Sequence, residues 1–233
     1  MEQHGIDRIL TFNSGFDGFP GIKRLSRSAY LSATDNRVRE TLQTIGWIAC
    51  VVYSTIPAFW LLVHPRVDFW RSQQRSPYRI LVPVWMTMWA AVAAVTAPWR
   101  GVLLYENKWR WIPAGALFCV GLALYKLSHC EFTLAQLGGL PEIRGDASQQ
   151  RLVTTGIRAR VRHPVYLAHL CEMLAWSLGT GLAVCWALTA FAIMTGALMI
   201  TLEDRELENR FGEEYRKYRS TVPAILPTTR SKK

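Results

Sequence analysis

Along this chain, polar and apolar residues separate into long blocks and do not alternate residue by residue. Apolar runs cover residues 41–63, 80–98, 111–127, 165–178 and 182–202, and charge is confined almost entirely to the gaps. The first run, TLQTIGWIACVVYSTIPAFWLLV, exceeds a hydrocarbon thickness of about 30 Å at a rise of about 1.5 Å per residue. The second and third are bordered by Trp together with Arg or Lys, the side chains that anchor at a membrane interface. Pro57, Pro83 and Pro113 fall near ends or at kinks that membrane helices tolerate. Only Gly179, Thr180 and Gly181 separate the last two runs, which leaves room for a tight helical hairpin. The pattern predicts an all-α polytopic membrane protein of about five transmembrane helices, closing on that hairpin.

Three stretches follow from the blocks: a polar, interfacial segment 1–40, three spans over 41–128, and a C-terminal part 129–233 that holds the candidate chemistry. The first forty residues lack a short apolar core and cleavage site, so an interfacial helix is expected there and not a secretory signal. The hairpin turn carries no charge and belongs on the non-cytoplasmic side, which brings 129–163 and 203–233 together at the cytoplasmic face. By the same count, loop 64–79 is cytoplasmic and loop 99–110 is not. The N-terminal Lys23, Arg24, Arg27, Arg37 and Arg39 run against the rule.

Charge and cysteine usage narrow the classes. The formal net charge is +10, but the basic residues flank apolar blocks, so lipid headgroups and not nucleic acid are the expected counter-charge. No CxxC pair occurs among the five cysteines, which argues against a disulfide framework or zinc site and reads them as small buried hydrophobes. The absence of GxGxxG and Walker patterns excludes the soluble nucleotide-binding folds.

Candidate chemistry gathers at the entrance to the fourth block and the exit from the fifth. In QQRLVTTGIRARVRHPVY, 149–166, Gly156 permits a tight turn and Pro164 suits the first turn of a helix. Arg162 and His163 could hold an anionic group at that helix start, with Tyr166 adding an aromatic face; lipid-phosphate anchoring by the arginines is the alternative. After the fifth block, LEDRELENRFGEEYRKYRSTVPAILP turns into a charged helix whose Leu202, Leu207 and Phe211 share a face. Glu203 follows directly on an apolar span, where a carboxylate is costly unless paired or functional. Within the fourth block, His169 and Glu172 lie three residues apart on one face and could be a proton relay, a ligand pair or a packing contact. No third ligand stands at fixed spacing, so no metal is expected.

RHPVY at 162–166 followed by FGEEYRKYRSTVPAILP at 211–227 resembles the signature of the isoprenylcysteine carboxyl methyltransferase family, whose relatives include phospholipid N-methyltransferases and bacterial small-thiol methyltransferases. The resemblance covers about half the chain, from the third span onward. It implies a methyltransferase core over 129–233 and a cytoplasm-facing pocket for S-adenosylmethionine. A lipophilic or small-molecule methyl acceptor (carboxylate, amine or thiol) would enter from the membrane. Such an enzyme is expected in the inner or plasma membrane of a bacterium, with lipids as its other partner; no oligomeric state follows.

By that resemblance His163, Pro164, Val165 and Tyr166 fall on the cofactor-binding His-Pro-x-Tyr. Gln150, Arg151, Leu152 and Val153 fall on a stretch that lines the cofactor, and Arg158 lies just past the glycine that follows it. Glu203 matches a cofactor-contacting acid. Glu203, Tyr166 and Arg162 are the catalytic candidates, while Met199, His169 and Glu172 are the substrate-side ones. Three departures stand out. Gly156-Ile157-Arg158 replaces Gly-Pro-Tyr, Glu203-Asp204 replaces Glu-Glu, and Met199 occupies the place of an arginine that partners a substrate carboxylate. A scaffold that keeps the helices without catalysis is the competing expectation, and cofactor binding separates the two.

Overall fold

The computed structural model describes residues 8–10, 23–25, 27–73, 76–129 and 152–226. The chain forms two compact units, residues 1–45 and 46–233. In the first, β1 (Arg8–Leu10) pairs in parallel with β2 (Lys23–Leu25), Arg8 opposite Lys23, before α1 (Arg27–Val63) begins. Of the stretch 1–40 expected to form an interfacial helix, residues 27–40 are helical as the start of α1 and two short strands precede them, while the rest lies outside the described residues. RSAYLSATDNRVRE contains neither Gly nor Pro, so nothing in it stops a helix. Thr34, Thr41 and Thr44 hydroxyls donate back to carbonyls one turn earlier, satisfying themselves on the helix itself.

In the second unit α1 continues from Gly46 and ends in a short 3-10 turn, followed by α2 (Val67–Arg71) and α3 (Tyr78–Thr96). Then come α4 (Trp111–His129), α5 (Pro164–Thr180), α6 (Ala183–Phe211) and α7 (Glu213–Thr221). Four helical stretches, Tyr30–Trp70, Tyr78–Trp99, Lys108–Ser128 and Ala183–Phe211, are long and apolar enough to cross a bilayer, which makes this a membrane protein. Their outward faces carry exposed apolar side chains such as Met86, Val95, Ile112, Leu122, Met194 and Leu198, suited to lipid. The fourth apolar block is different. At 17 residues α5 is short for a span, and it buries Glu172 among eight covered side chains.

Two apolar clusters hold the bundle. Cys50 and Val51 of α1 meet Met173 of α5 and Val184, Cys185 and Leu188 of α6, while Phe59 and Val63 of α1 meet Leu81 of α3. The expectation of buried cysteines holds for Cys50, Cys171 and Cys185 but not for Cys119, which is exposed on α4; Cys130 lies outside the described residues. Among the described residues all four cysteines are free thiols and no cluster could hold a metal ion.

Only Gly181 and Leu182 link α5 to α6. Gly181 adopts φ +68°, and a Cβ there would lie 2.3 Å from the Tyr105 carbonyl oxygen, so the turn demands glycine. The loop before α4 is stitched to this turn: Leu104 N–H donates to Gly181 O and Ala183 N–H to Val102 O, each at 2.9 Å. At the other end of α6, His64 Nδ1 stands 2.8 Å from Glu206 Oε2. Loop 99–110 thus shares an end with the hairpin, and the end of α1 shares one with the exit of α6, the same pairing that the charge pattern requires.

Candidate functional site

The charged end of α5 is built on its threshold residues. Pro164 occupies the first helical turn, where its missing N–H costs nothing, and His163 stands at the N-cap. Upstream, Gly156 at φ +58° opens a 3-10 turn, Gly156–Ala159, that brings the chain back to the helix start. Downstream, Gly212, also at φ +58°, folds α7 back so that Tyr215, Tyr218 and Val222 pack with Leu152, Leu207 and Phe211. Tyr218 closes this layer by donating its hydroxyl to Arg158 O at 2.7 Å.

Asp204 is the hub of the arrangement. Only 4 % exposed, it accepts from Arg162 Nη2 at 2.7 Å on Oδ2, while Oδ1 accepts from the Tyr215 hydroxyl and lies 3.2 Å from His163 Nε2. The other terminal nitrogen of Arg162 donates to Val222 O at 2.5 Å and Arg219 O at 3.2 Å. Backbone pairing completes the clamp, with Arg162 N–H on Pro223 O at 2.9 Å and His163 N–H on Ala224 O at 3.0 Å. A buried carboxylate is tolerable here because every charge has a partner.

Glu203 stands on the other side of the imidazole, its Oε2 3.5 Å from His163 Nδ1. That oxygen is buried and has no hydrogen-bond partner. Burial disfavours a charged His163, but the Glu203 carboxylate and the hydrogen bond that the ring donates to Asp204 outweigh it and lift its pKa from 6.5 to about 9. Burial and the bond to Asp204 hold the Tyr215 phenol above its ordinary value. The His163 ring stacks on Tyr166 at 5.7 Å, and the Tyr166 hydroxyl donates to the fully buried Met199 Sδ at 3.4 Å. Next to this cluster a cavity of about 520 Å³ opens between the end of α1 and α6, lined by His64, Asp68, Leu202, Arg205, Glu206 and Arg210 among others. At this charged end the arrangement can hold a cationic or zwitterionic group against Glu203, beside the Tyr166 ring.

Two curated proteins are similar to this chain. The chain is 36% identical over 87 residues to methanethiol S-methyltransferase 1 of Bradyrhizobium diazoefficiens, a match that covers 37% of this chain and 30% of that protein. It is also 36% identical over 59 residues to an uncharacterized protein of Haemophilus influenzae, covering 25% of this chain and 94% of that one. The chain belongs to the family of that Haemophilus influenzae protein. No family model and no solved structure matches it. The chain thus spans less than a third of the length of the methyltransferase it resembles.

Of the residues singled out in the sequence, His163, Pro164, Tyr166, Met199 and Glu203 lie together, with Val165 half-buried beside them. Leu152 belongs to the α7 layer, and Arg158 donates to Arg162 O at 3.0 Å. Val153 is half-buried. Gln150 and Arg151 lie outside the described residues. Arg162 has its two terminal nitrogens taken by Asp204 and the chain's own carbonyls, which makes it a clamp. His169 and Glu172 sit deeper on α5. Asp204 and Tyr215 are the residues that sequence reasoning passed over; the adjacent acids at 203–204 and the Tyr-x-x-Tyr of α7 were the available signals.

Proposed function

We infer that this chain is an S-adenosylmethionine-dependent methyltransferase of the membrane, similar to the isoprenylcysteine carboxyl methyltransferases, in which α5 serves as a fifth, shorter span and the cofactor is held at the cytoplasmic face. The observation that carries the reading is the buried Oε2 of Glu203, 3.5 Å from His163 Nδ1 at the charged end of α5. A buried carboxylate oxygen whose contact to the imidazole is long, 3.5 Å, can accept a further donor from a ligand, and the amino and ribose groups of S-adenosylmethionine supply one. The cofactor would be held by Glu203, His163 and Tyr166, with Leu152 and Val153 proposed along its flank. When bound it supplies a methyl group on a cationic sulfur.

The protein's own residues orient and exclude water. Glu203 and the Tyr166 ring place negative charge and a π face where a cation sits, and the apolar bundle keeps the acceptor dry. Arg162 and Asp204 act as positioning residues that fix His163. No arginine stands at position 199, so an ionised carboxylate acceptor lacks that partner, and the likeness to a methanethiol methyltransferase supports a small thiol as the acceptor class. Binding of S-adenosylhomocysteine to the purified protein in detergent tests the reading. Micromolar affinity is expected, weakened at least tenfold by Glu203→Gln, a change that keeps the side-chain shape. Folded protein that does not bind it would support a scaffold without catalysis.

A further inference from the structure

His163, Tyr166, His169 and Glu172 recur every third residue of α5 and form one stripe from the charged threshold into the apolar bundle. The rings follow one another, His163 to Tyr166 at 5.7 Å and Tyr166 to His169 at 6.5 Å. At His169 the stripe meets Tyr53 of α1 at 5.1 Å and Tyr125 of α4 at 5.4 Å. One turn deeper Glu172, 2 % exposed, accepts the Tyr53 hydroxyl. α4 gives way to this carboxylate: at Gly121 a Cβ would lie 2.8 Å from Glu172 Cγ. An imidazole and a carboxylate among tyrosines are a costly means of filling a helix interface that leucines fill without polar partners. A chain that makes room for them with glycine on the facing helix uses them for something other than packing.

We propose that His169 is the proton acceptor for methyl transfer to a small thiol, with Glu172 as a positioning residue that acts through Tyr53. This rests on the methyltransferase reading above and specifies its acceptor class. The S–H bond of the thiol breaks, its proton goes to an imidazole nitrogen of His169, and its electron pair forms the new S–CH3 bond. The bond between that methyl and the sulfonium sulfur breaks, leaving its pair on the cofactor sulfur as a neutral thioether. Positive charge disappears from the sulfonium and reappears on the imidazolium, so charge balances. The groups facing His169 are the rings of Tyr53 from α1, Tyr125 from α4 and Tyr166 from its own helix; Glu172, three residues on, accepts the Tyr53 hydroxyl and supplies the counter-charge through it. A carboxylate acceptor is already ionised and has no use for such a base.

The test uses the full chain in detergent. S-adenosylhomocysteine should bind wild type, His169→Gln and Glu172→Gln within about twofold of one another, which also shows that the variants fold. With ethanethiol as acceptor, kcat of His169→Gln should fall about a hundredfold near neutral pH and recover as pH approaches the pKa of the thiol itself. Glu172→Gln should lose about tenfold and move the pH profile instead of abolishing its dependence. Independently of turnover, ethanethiol added to the wild-type S-adenosylhomocysteine complex should give the ultraviolet absorbance of a thiolate below the pH at which the free thiol ionises, and His169→Gln should not. An unaltered pH profile in His169→Gln, or no thiolate signal in wild type, overturns the assignment. If S-adenosylhomocysteine binds and no thiol is methylated, this inference falls alone. If it does not bind, the methyltransferase reading falls and takes this one with it.

Discussion

The two ends of α5 solve one problem in two ways. Both ends of a short helix must be tied into the bundle, and a membrane boundary makes loose backbone polar groups expensive. At the hairpin end the ties are neutral: Tyr105 donates to the Ser177 and Leu178 carbonyls at 3.3 and 3.1 Å, Trp186 Nε1 donates to the Tyr105 hydroxyl at 3.3 Å, and Ser177 Oγ lies 2.9 Å from Thr189 Oγ1. At the threshold the ties are ionic, running through Arg162, His163 and Asp204. Neutral ties suffice for architecture, so a chain that buries three charged groups at one end is holding something that neutral groups cannot hold. On that difference rests the proposal that the threshold is the functional end.

Removing the hub should break the comparison hardest. Asp204→Ala strands a buried guanidinium and imidazole and should cost about 3–5 kcal/mol, read as a lowered unfolding temperature in detergent; a loss no larger than at the hairpin would mean that the ionic ties are ornamental. Raising the pH should come next. The raised pKa of His163 favours the folded state while the ring is protonated, so its contribution is complete below about pH 6.5 and disappears as pH rises through about 9. The swing is on the order of 3 kcal/mol, and a melting series from pH 6 to 10 should show it in wild type but not in His163→Gln. At the hairpin, Gly181→Ala forces positive φ and a clash with Tyr105, at about 1–3 kcal/mol and with no pH dependence. Ser177→Ala there removes one neutral hydrogen bond, about 1 kcal/mol. On the surface, Arg216→Ala deletes exposed pairs with Glu208 and Glu213 and should leave the melting curve where it was.

Block patterning located the helices because a bilayer-sized apolar run has few other uses. α4 begins at Trp111 and α5 at Pro164, where interfacial tryptophan and an N-terminal proline announce starts. The early start of α1 was hidden because polar residues 27–40 read equally as interface or helix, and no cap or breaker decides between them. α6 runs on to Phe211, past the last apolar residue of its block, since no Gly or Pro intervenes before Gly212. His163, Tyr166 and Glu203 were legible from motif spacing, but the priority of Asp204 over its neighbour was not. Its partners Arg162 and His163 lie 42 and 41 residues away, and periodicity carries no information about which of two adjacent acids faces inward. Likewise, nothing in the sequence brings Tyr53 to Glu172 across 119 residues.

The pairing of Arg162 and His163 with the carbonyls at 222–224 also sets a schedule. A threshold completed by residues made 60 positions later cannot close while they are still inside the ribosome. At about 5–20 residues per second, α5 waits roughly 3–12 s with its charged end open. During that interval the clamp is absent, so the site comes into being well after the helix that carries most of it.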